Sequence, residues 1–301
     1  MARTRRCIHC GRSEREATLY PFHHSTGTRY TCERCAPLDV YSGYGRENGA
    51  TAGNTTKAGF TLSKEFELPG GSSSYFGREG VAYFVSQQFD PTEDCTVWIE
   101  MKSPIYKNLN AWTRTSKAIE ARFGTEWTRL AGYGTHTNVG HPDLDMAIVR
   151  QWYKSLFGRL YNTLDEVVSD RAERHRIVDL FGRTPVDYAH IAHGWELENP
   201  QAEHSIIWNV QHETHLECRL VKWTNATQDN NATKYAIETV AAVVEFCNEV
   251  KSNRLKTGII EERIAMNRKS AEKAGRKIDN ILRKHLGLPR ENKTTNYTSR
   301  R

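Results

Sequence analysis

Glu65 and Glu67 stand two apart in the run SKEFEL, and Glu217 and Arg219 repeat that spacing in HLECRL. Residues two apart in an extended chain project from the same face, so each run presents two ionised groups side by side. Glu100 in VWIEMKSP and His136 in GYGTHTNVGH lie in two further short runs of β character. A carboxylate turned toward a buried sheet face is costly unless a metal or a cationic ligand neutralises it. Four acids, one imidazole and one guanidinium spread over four strands therefore read as a hard-cation site with an anion-binding arginine beside it.

Taken in order, the segments Ser63-Lys64-Glu65-Phe66-Glu67, Glu100-Met101-Lys102-Ser103-Pro104, His136-Thr137-Asn138-Val139 and Thr214-His215-Leu216-Glu217-Cys218-Arg219 resemble the amidoligase family of the glutamine-synthetase-like carboxylate-amine ligases. The resemblance spans about residues 60 to 250. It implies a curved antiparallel sheet with helices packed on one face. It also implies a reaction in which ATP phosphorylates a substrate carboxylate and an amine attacks the acyl phosphate to give an amide. Phosphoryl transfer asks for little beyond positioning and charge neutralisation. On this reading Glu65, Glu67, Glu100 and Glu217 hold Mg²⁺, and His136 is a further ligand or a phosphate contact. Arg219 clamps the transferring phosphoryl group, with Arg171, Arg176 and Arg183 in the region where the family carries further phosphate or substrate arginines. Lys64 takes the place of an apolar residue in the family pattern, and Asn138 that of a second histidine.

A second signal stands at the N-terminus. Cys7 and Cys10 form one CxxC knuckle and Cys32 and Cys35 another, with 21 residues between them. That is the spacing of a tetrahedral zinc site with four thiolate ligands. A segment of this length buries too little apolar surface to fold alone, so the metal would supply the folding energy. Four thiolates leave no open position, which makes the expected Zn²⁺ structural. Residues 1–40 are thus a zinc-binding module, and the Gly-, Asn- and Thr-rich residues 41–59 a linker.

The chain of 301 residues has room for one domain of roughly 200 residues and smaller appendages. Its net charge of +6 is unevenly distributed. Residues 1–35 carry seven arginines against three glutamates, and residues 251–301 carry fifteen Lys and Arg against five acids, so the middle is acidic. An acidic centre suits cation binding, and basic ends suit a nucleic acid or a solvated surface. No run of 18 apolar residues is present, and the start MARTRRCIHC lacks the apolar stretch of a signal peptide. Seven cysteines, an odd number, fit reduced thiols and a cytoplasmic protein.

The elements that must position the acids follow from periodicity. Strands are expected at 60–68, 81–89 and 96–101, the last two joined by a turn at 90–94. A helix over 108–123 presents Trp112, Ser116, Ile119 and Phe123 on one face, with Gly124 past its end. The His136 strand follows, then a long helix capped by Asp143. A hairpin is expected from 205–210 and 216–223, and a helix over 232–250. The fold class is α+β, residues 60–250 forming the catalytic domain. Beyond it, 251–301 hold a basic amphipathic helix over 258–285 and a disordered tail; such a helix packs on its own domain, pairs with a partner helix, or meets nucleic acid or a membrane surface.

Three functions stay open on sequence. One is the amide-forming ligase, acting on a carboxylate and an amine that a peptide or protein could carry. Another is a zinc-module adaptor for nucleic acid or protein, with an inactive ligase-like domain. The last is a metal-dependent hydrolase on the same scaffold.

Overall fold

The computed structural model describes residues 5–7, 12–17, 19–24, 27–32, 59–68, 84, 89–92, 99–124, 134–185, 189–202 and 205–291. Near the N-terminus, β1 (Leu19–His24) and β2 (Gly27–Cys32) form an antiparallel hairpin. Cys7 and Cys32 are buried together against Ala17 and Leu19. Cys10 and Cys35, and all but the last residue of the expected linker, lie outside the described residues.

The main sheet uses β3 (Thr61–Leu68), β4 (Asp90–Thr92), β5 (Ile99–Lys102), β6 (Gly134–Gly140), β7 (Trp208–Asn209) and β8 (His215–Cys218). The strand order is β4-β5-β3-β6-β8-β7, and every neighbouring pair is antiparallel. Among the described residues, the helices are α1 (Leu109–Phe123), α2 (Met146–Ser169), α3 (His175–Phe181), α4 (Gly194–Glu198), α5 (Ala226–Lys256) and α6 (Ile260–His285). The architecture is therefore α+β. No helix among the described residues is long and apolar enough to cross a membrane.

Alternation sorts the sheet into two unlike faces. Leu62, Phe66, Met101, Val139, Leu216, Cys218 and Trp208 join the hydrophobic core, and Lys64, from the same face, reaches Asp229 on α5. Residues of the other parity, Ser63, Glu65, Glu67, Glu100, His136, Asn138 and Glu217, form a second, polar face. Burial of the apolar set, at about 25 cal/mol per Å², pins the register, because a slip of one residue would exchange the faces.

The helices begin and end where local chemistry dictates. The Asn108 side chain accepts from Ala111 N at the start of α1, a cap worth about 1 kcal/mol, and Gly124 at φ 54° ends it. Trp112, Ser116, Ile119 and Phe123 are the buried residues of α1, as its periodicity predicts. The N-cap of α2 is Asp145 rather than Asp143, its carboxylate accepting from Ile148 N.

Two expectations are corrected here. Asp90–Thr92, read as a turn, is an edge strand paired with β5; Pro91 is tolerated because an edge position need not donate on its outer side. Phe84, within the strand expected at 81–89, is helical, and the remainder of that stretch apart from Phe89 lies outside the described residues.

The basic helix α6 packs against α2 and α5. Ala271, Ala274, Ile278 and Leu282 are buried there, and buried Asp279 accepts from Thr163 at 2.6 Å and from Arg283 at 2.7 Å. At Gly275 the helices approach so closely that a Cβ would lie 2.1 Å from the Ser155 carbonyl oxygen.

Candidate functional site: an acidic face around His136

Strand register builds the site row by row. One row runs Lys102, Glu65, His136 across β5, β3 and β6. A second runs Thr92, Glu100, Glu67, Gly134. A third runs Ser63, Asn138, Glu217, Asn209 across β3, β6, β8 and β7. Long-range pairing thus gathers Glu65, Glu67, Glu100, His136 and Glu217, five of the six catalytic candidates, onto one patch, and Arg219 joins through its Nε, 3.4 Å from Glu217 Oε1.

His136 is the hub. Its Nδ1 lies 2.8 Å from Glu217 Oε1 and 3.4 Å from Glu65 Oε2, and its Nε2 lies 3.2 Å from Glu67 Oε1 without hydrogen-bond alignment. One ligand atom from each of Glu65, His136 and Glu217 falls within 4.8 Å of the others, a grouping suited to a metal ion. Glu100 adjoins this group, its Oε2 held by Lys102 Nζ at 3.3 Å.

The electrostatics record how much negative charge is concentrated. Burial opposes charging His136, but the Glu217 carboxylate beside it raises its pKa well above the imidazole range. Burial likewise resists ionising Glu217, and the charge of His136 outweighs that and holds it well below the carboxylate range. Glu65 follows the same pattern: burial pushes up, the His136 hydrogen bond pulls down further, and its carboxyl is lowered to about 2. Glu100 goes the other way, pushed up to about 8 by burial and then by the Glu65 charge. At neutral pH these shifts keep His136 charged and Glu100 protonated, and a divalent cation would neutralise the same cluster of acids without those protons.

Several further groups support this patch, and two of them, Asn209 and His212, were not among the sequence candidates. Asn138 Nδ2 donates to Glu65 Oε1 at 2.9 Å, and Asn209 Nδ2 to Glu217 Oε2 at 2.8 Å. His212 Nε2 lies 3.2 Å from Glu217 Oε2. Arg183 donates through Nε to the Leu220 carbonyl and through Nη2 to the Arg219 carbonyl. Gly134 leaves space at this point: a Cβ there would meet Glu67 Oε2 at 2.8 Å and Arg183 Nη2 at 3.2 Å. Arg183 is therefore the arginine of its region that reaches the acidic face.

The structure does not bring Arg171 or Arg176 there. Arg171 is exposed on the turn after α2, and Arg176 binds Glu173 and the carbonyls of Leu286 and Gly287. Sequence separated these arginines poorly because all lie in loops and short helices without a period to aim them.

Lys64 lies beneath the site, on the opposite face. Its ammonium donates to Thr137 Oγ1 at 2.7 Å and Asp229 Oδ1 at 2.9 Å. Asp229 also accepts from Trp112 Nε1 and Ser116 Oγ. The residue that departs from the family pattern is thus a core anchor tying β3 to α1 and α5, and it leaves the acidic face unaltered. Compared with known proteins, the chain matches no family model and no curated protein.

Proposed function

We propose that the chain is an ATP-dependent carboxylate-amine ligase that forms an amide through an acyl phosphate, on a glutamine-synthetase-like sheet. The observation that carries this reading is the convergence of Glu65, His136 and Glu217 within 4.8 Å, with Glu67 and Glu100 in the adjoining row and Arg219 at the edge. These residues fit a hard divalent cation, Mg²⁺ or Mn²⁺: carboxylate oxygens dominate, and the one nitrogen donor is held by carboxylates. Glu65, His136 and Glu217 would hold one ion, with Glu67 and Glu100 placed to share it or a second. When bound, the cation neutralises phosphate oxygens and the charge that develops on them.

The chain's own residues do the rest. Arg219 and Arg183 offer guanidinium groups toward the edges of the acidic face, where a phosphoryl group would sit between cation and arginine. The carboxylate oxygen of the substrate attacks the γ-phosphorus of ATP, the bond to the bridging oxygen breaks and ADP leaves. The amine then attacks the acyl carbon, and inorganic phosphate departs as the amide forms. Lys64 and the apolar face hold β3 rigid beneath the acids, so that their positions are fixed before substrate arrives.

Lys64 and Asn138 would favour an inactive adaptor only if they disrupted the acidic face. Lys64 faces away from it, and Asn138 supports Glu65, which favours the ligase. The N-terminal cysteines fit a structural zinc, with Cys7 and Cys32 already packed together. The test is ADP release from ATP and Mg²⁺ with a panel of carboxylates, with and without hydroxylamine as a general amine. Release that requires both carboxylate and Mg²⁺ supports the ligase; no nucleotide binding at about millimolar ATP, close to the upper end of usual substrate KM values, ends it.

A further inference from the structure

The two carboxylates that face His136 Nδ1 are held in the same unusual way. Glu65 turns Oε2 toward His136 Nδ1, and Glu217 turns Oε1 toward the same nitrogen. The remaining oxygen of each is occupied by an asparagine amide, Asn138 Nδ2 on Glu65 Oε1 and Asn209 Nδ2 on Glu217 Oε2. The orientation of Asn209 is fixed independently, because its Oδ1 accepts from Gln211 N at 2.8 Å. Asn209 is wholly buried and Asn138 nearly so. The two amides come from different strands, β6 and β7, yet do the same thing to two different acids.

A carboxylate with one oxygen engaged in this way offers a cation only the other. Ca²⁺ takes six to eight oxygens at roughly 2.3–2.6 Å and uses bidentate carboxylates readily, whereas Mg²⁺ and Mn²⁺ are served by single oxygens at octahedral positions, at roughly 2.0–2.1 Å for Mg²⁺. We propose that Asn138 and Asn209 are positioning residues that enforce single-oxygen ligation by Glu65 and Glu217, and so select a small octahedral cation against Ca²⁺. The proposal rests on the reading of this patch as a metal site and adds what decides its metal. His212, on the same oxygen of Glu217 but half-exposed, makes the looser of the two contacts.

The experiment is metal binding by the full-length chain, Mn²⁺ and Ca²⁺ titrated separately by calorimetry, on wild type, Asn209→Leu and Asn138→Ala. Wild type should bind Mn²⁺ at least about tenfold tighter than Ca²⁺. Each variant should lose about 10–100-fold in Mn²⁺ affinity, the usual range for outer-shell partners, while Ca²⁺ affinity holds or improves, so that the ratio collapses. A structural role alone would weaken both metals together, and that outcome, or an unchanged ratio in folded variants, overturns the proposal. Asn138→Ala covers the case in which Asn209→Leu fails to fold. Absence of Mn²⁺ and Ca²⁺ binding by wild type removes the metal site itself, which is a different failure from a metal site indifferent to its asparagines.

Discussion

Lys64 Nζ and Asp229 Oδ1 pair at 2.9 Å with both side chains at 0% exposure, joining β3 to α5 across 165 residues of sequence. Burial lowers the Lys64 pKa and Asp229 pulls it back up, so each charge depends on the other. Removing one partner leaves the other buried and uncompensated. Asp229→Ala should therefore cost about 3–5 kcal/mol by urea denaturation. The double variant Lys64→Met, Asp229→Leu should recover most of that loss. Equal losses in the single and double variants would show that the pair matters for packing rather than charge.

The acidic face should behave in the opposite sense. Without metal, Glu67 lies among carboxylates that crowd one another, so Glu67→Gln should leave the thermal midpoint within a few degrees of wild type. On the proposed ligase reading, turnover of ATP should fall by roughly 10²–10³-fold. Arg219→Lys keeps the charge but loses the planar fork, and should show a similar fall in kcat. Full activity in Arg219→Lys would place the phosphoryl group elsewhere.

At alkaline pH the core should weaken. Burial pushes the Cys218 thiol up from 9.0 to about 12, and burial also raises Tyr153 and Tyr235 well above 10.0. The folded chain thus keeps protons that the unfolded chain gives up. Its stability is whole below about pH 9 and falls as pH climbs toward about 12. Urea midpoints at pH 8 and at about pH 10.5 check this, the second being lower; equal midpoints would contradict it.

Gly275→Ala tests whether the basic helix belongs to the core. Its Cβ would meet the Ser155 carbonyl at 2.1 Å, a backbone atom that cannot swing aside. The substitution should cost about 1–3 kcal/mol despite the better helix propensity of alanine. Arg276→Ala, one position on and exposed, should cost little. Similar effects at both positions would indicate that α6 is only loosely attached.

What the sequence made legible was local. Spacing of two places Glu65 with Glu67, and Glu217 near Arg219, on shared faces whatever the tertiary fold. Asn108 and Gly124 announce the limits of α1 by their own backbone chemistry. The α+β class and the antiparallel pairing of β7 with β8 follow from the same kind of signal. What it hid was partnership over distance: nothing near Asn209 says that Glu217 is eight residues away across a strand pair, and nothing near Arg183 aims it at Glu67. One hidden contact did leave a trace. Lys64 falls on the apolar parity of its strand, which requires a buried counter-charge, and Asp229 is an acid on the apolar stripe of α5 that continues through Ala232, Ala236 and Val240.

The rows of the acidic face also set when it comes into being. Glu65 meets His136 across 71 residues of chain, and Glu217 comes from a strand a further 81 positions beyond His136. No hairpin contains two of these three groups. Each must wait for a loop closure whose entropy is repaid only by the apolar face beneath. A divalent cation bound as proposed would consequently have nothing to nucleate in the nascent chain: it would arrive last, at a sheet already closed, and its uptake would report that the central strands have found their native neighbours.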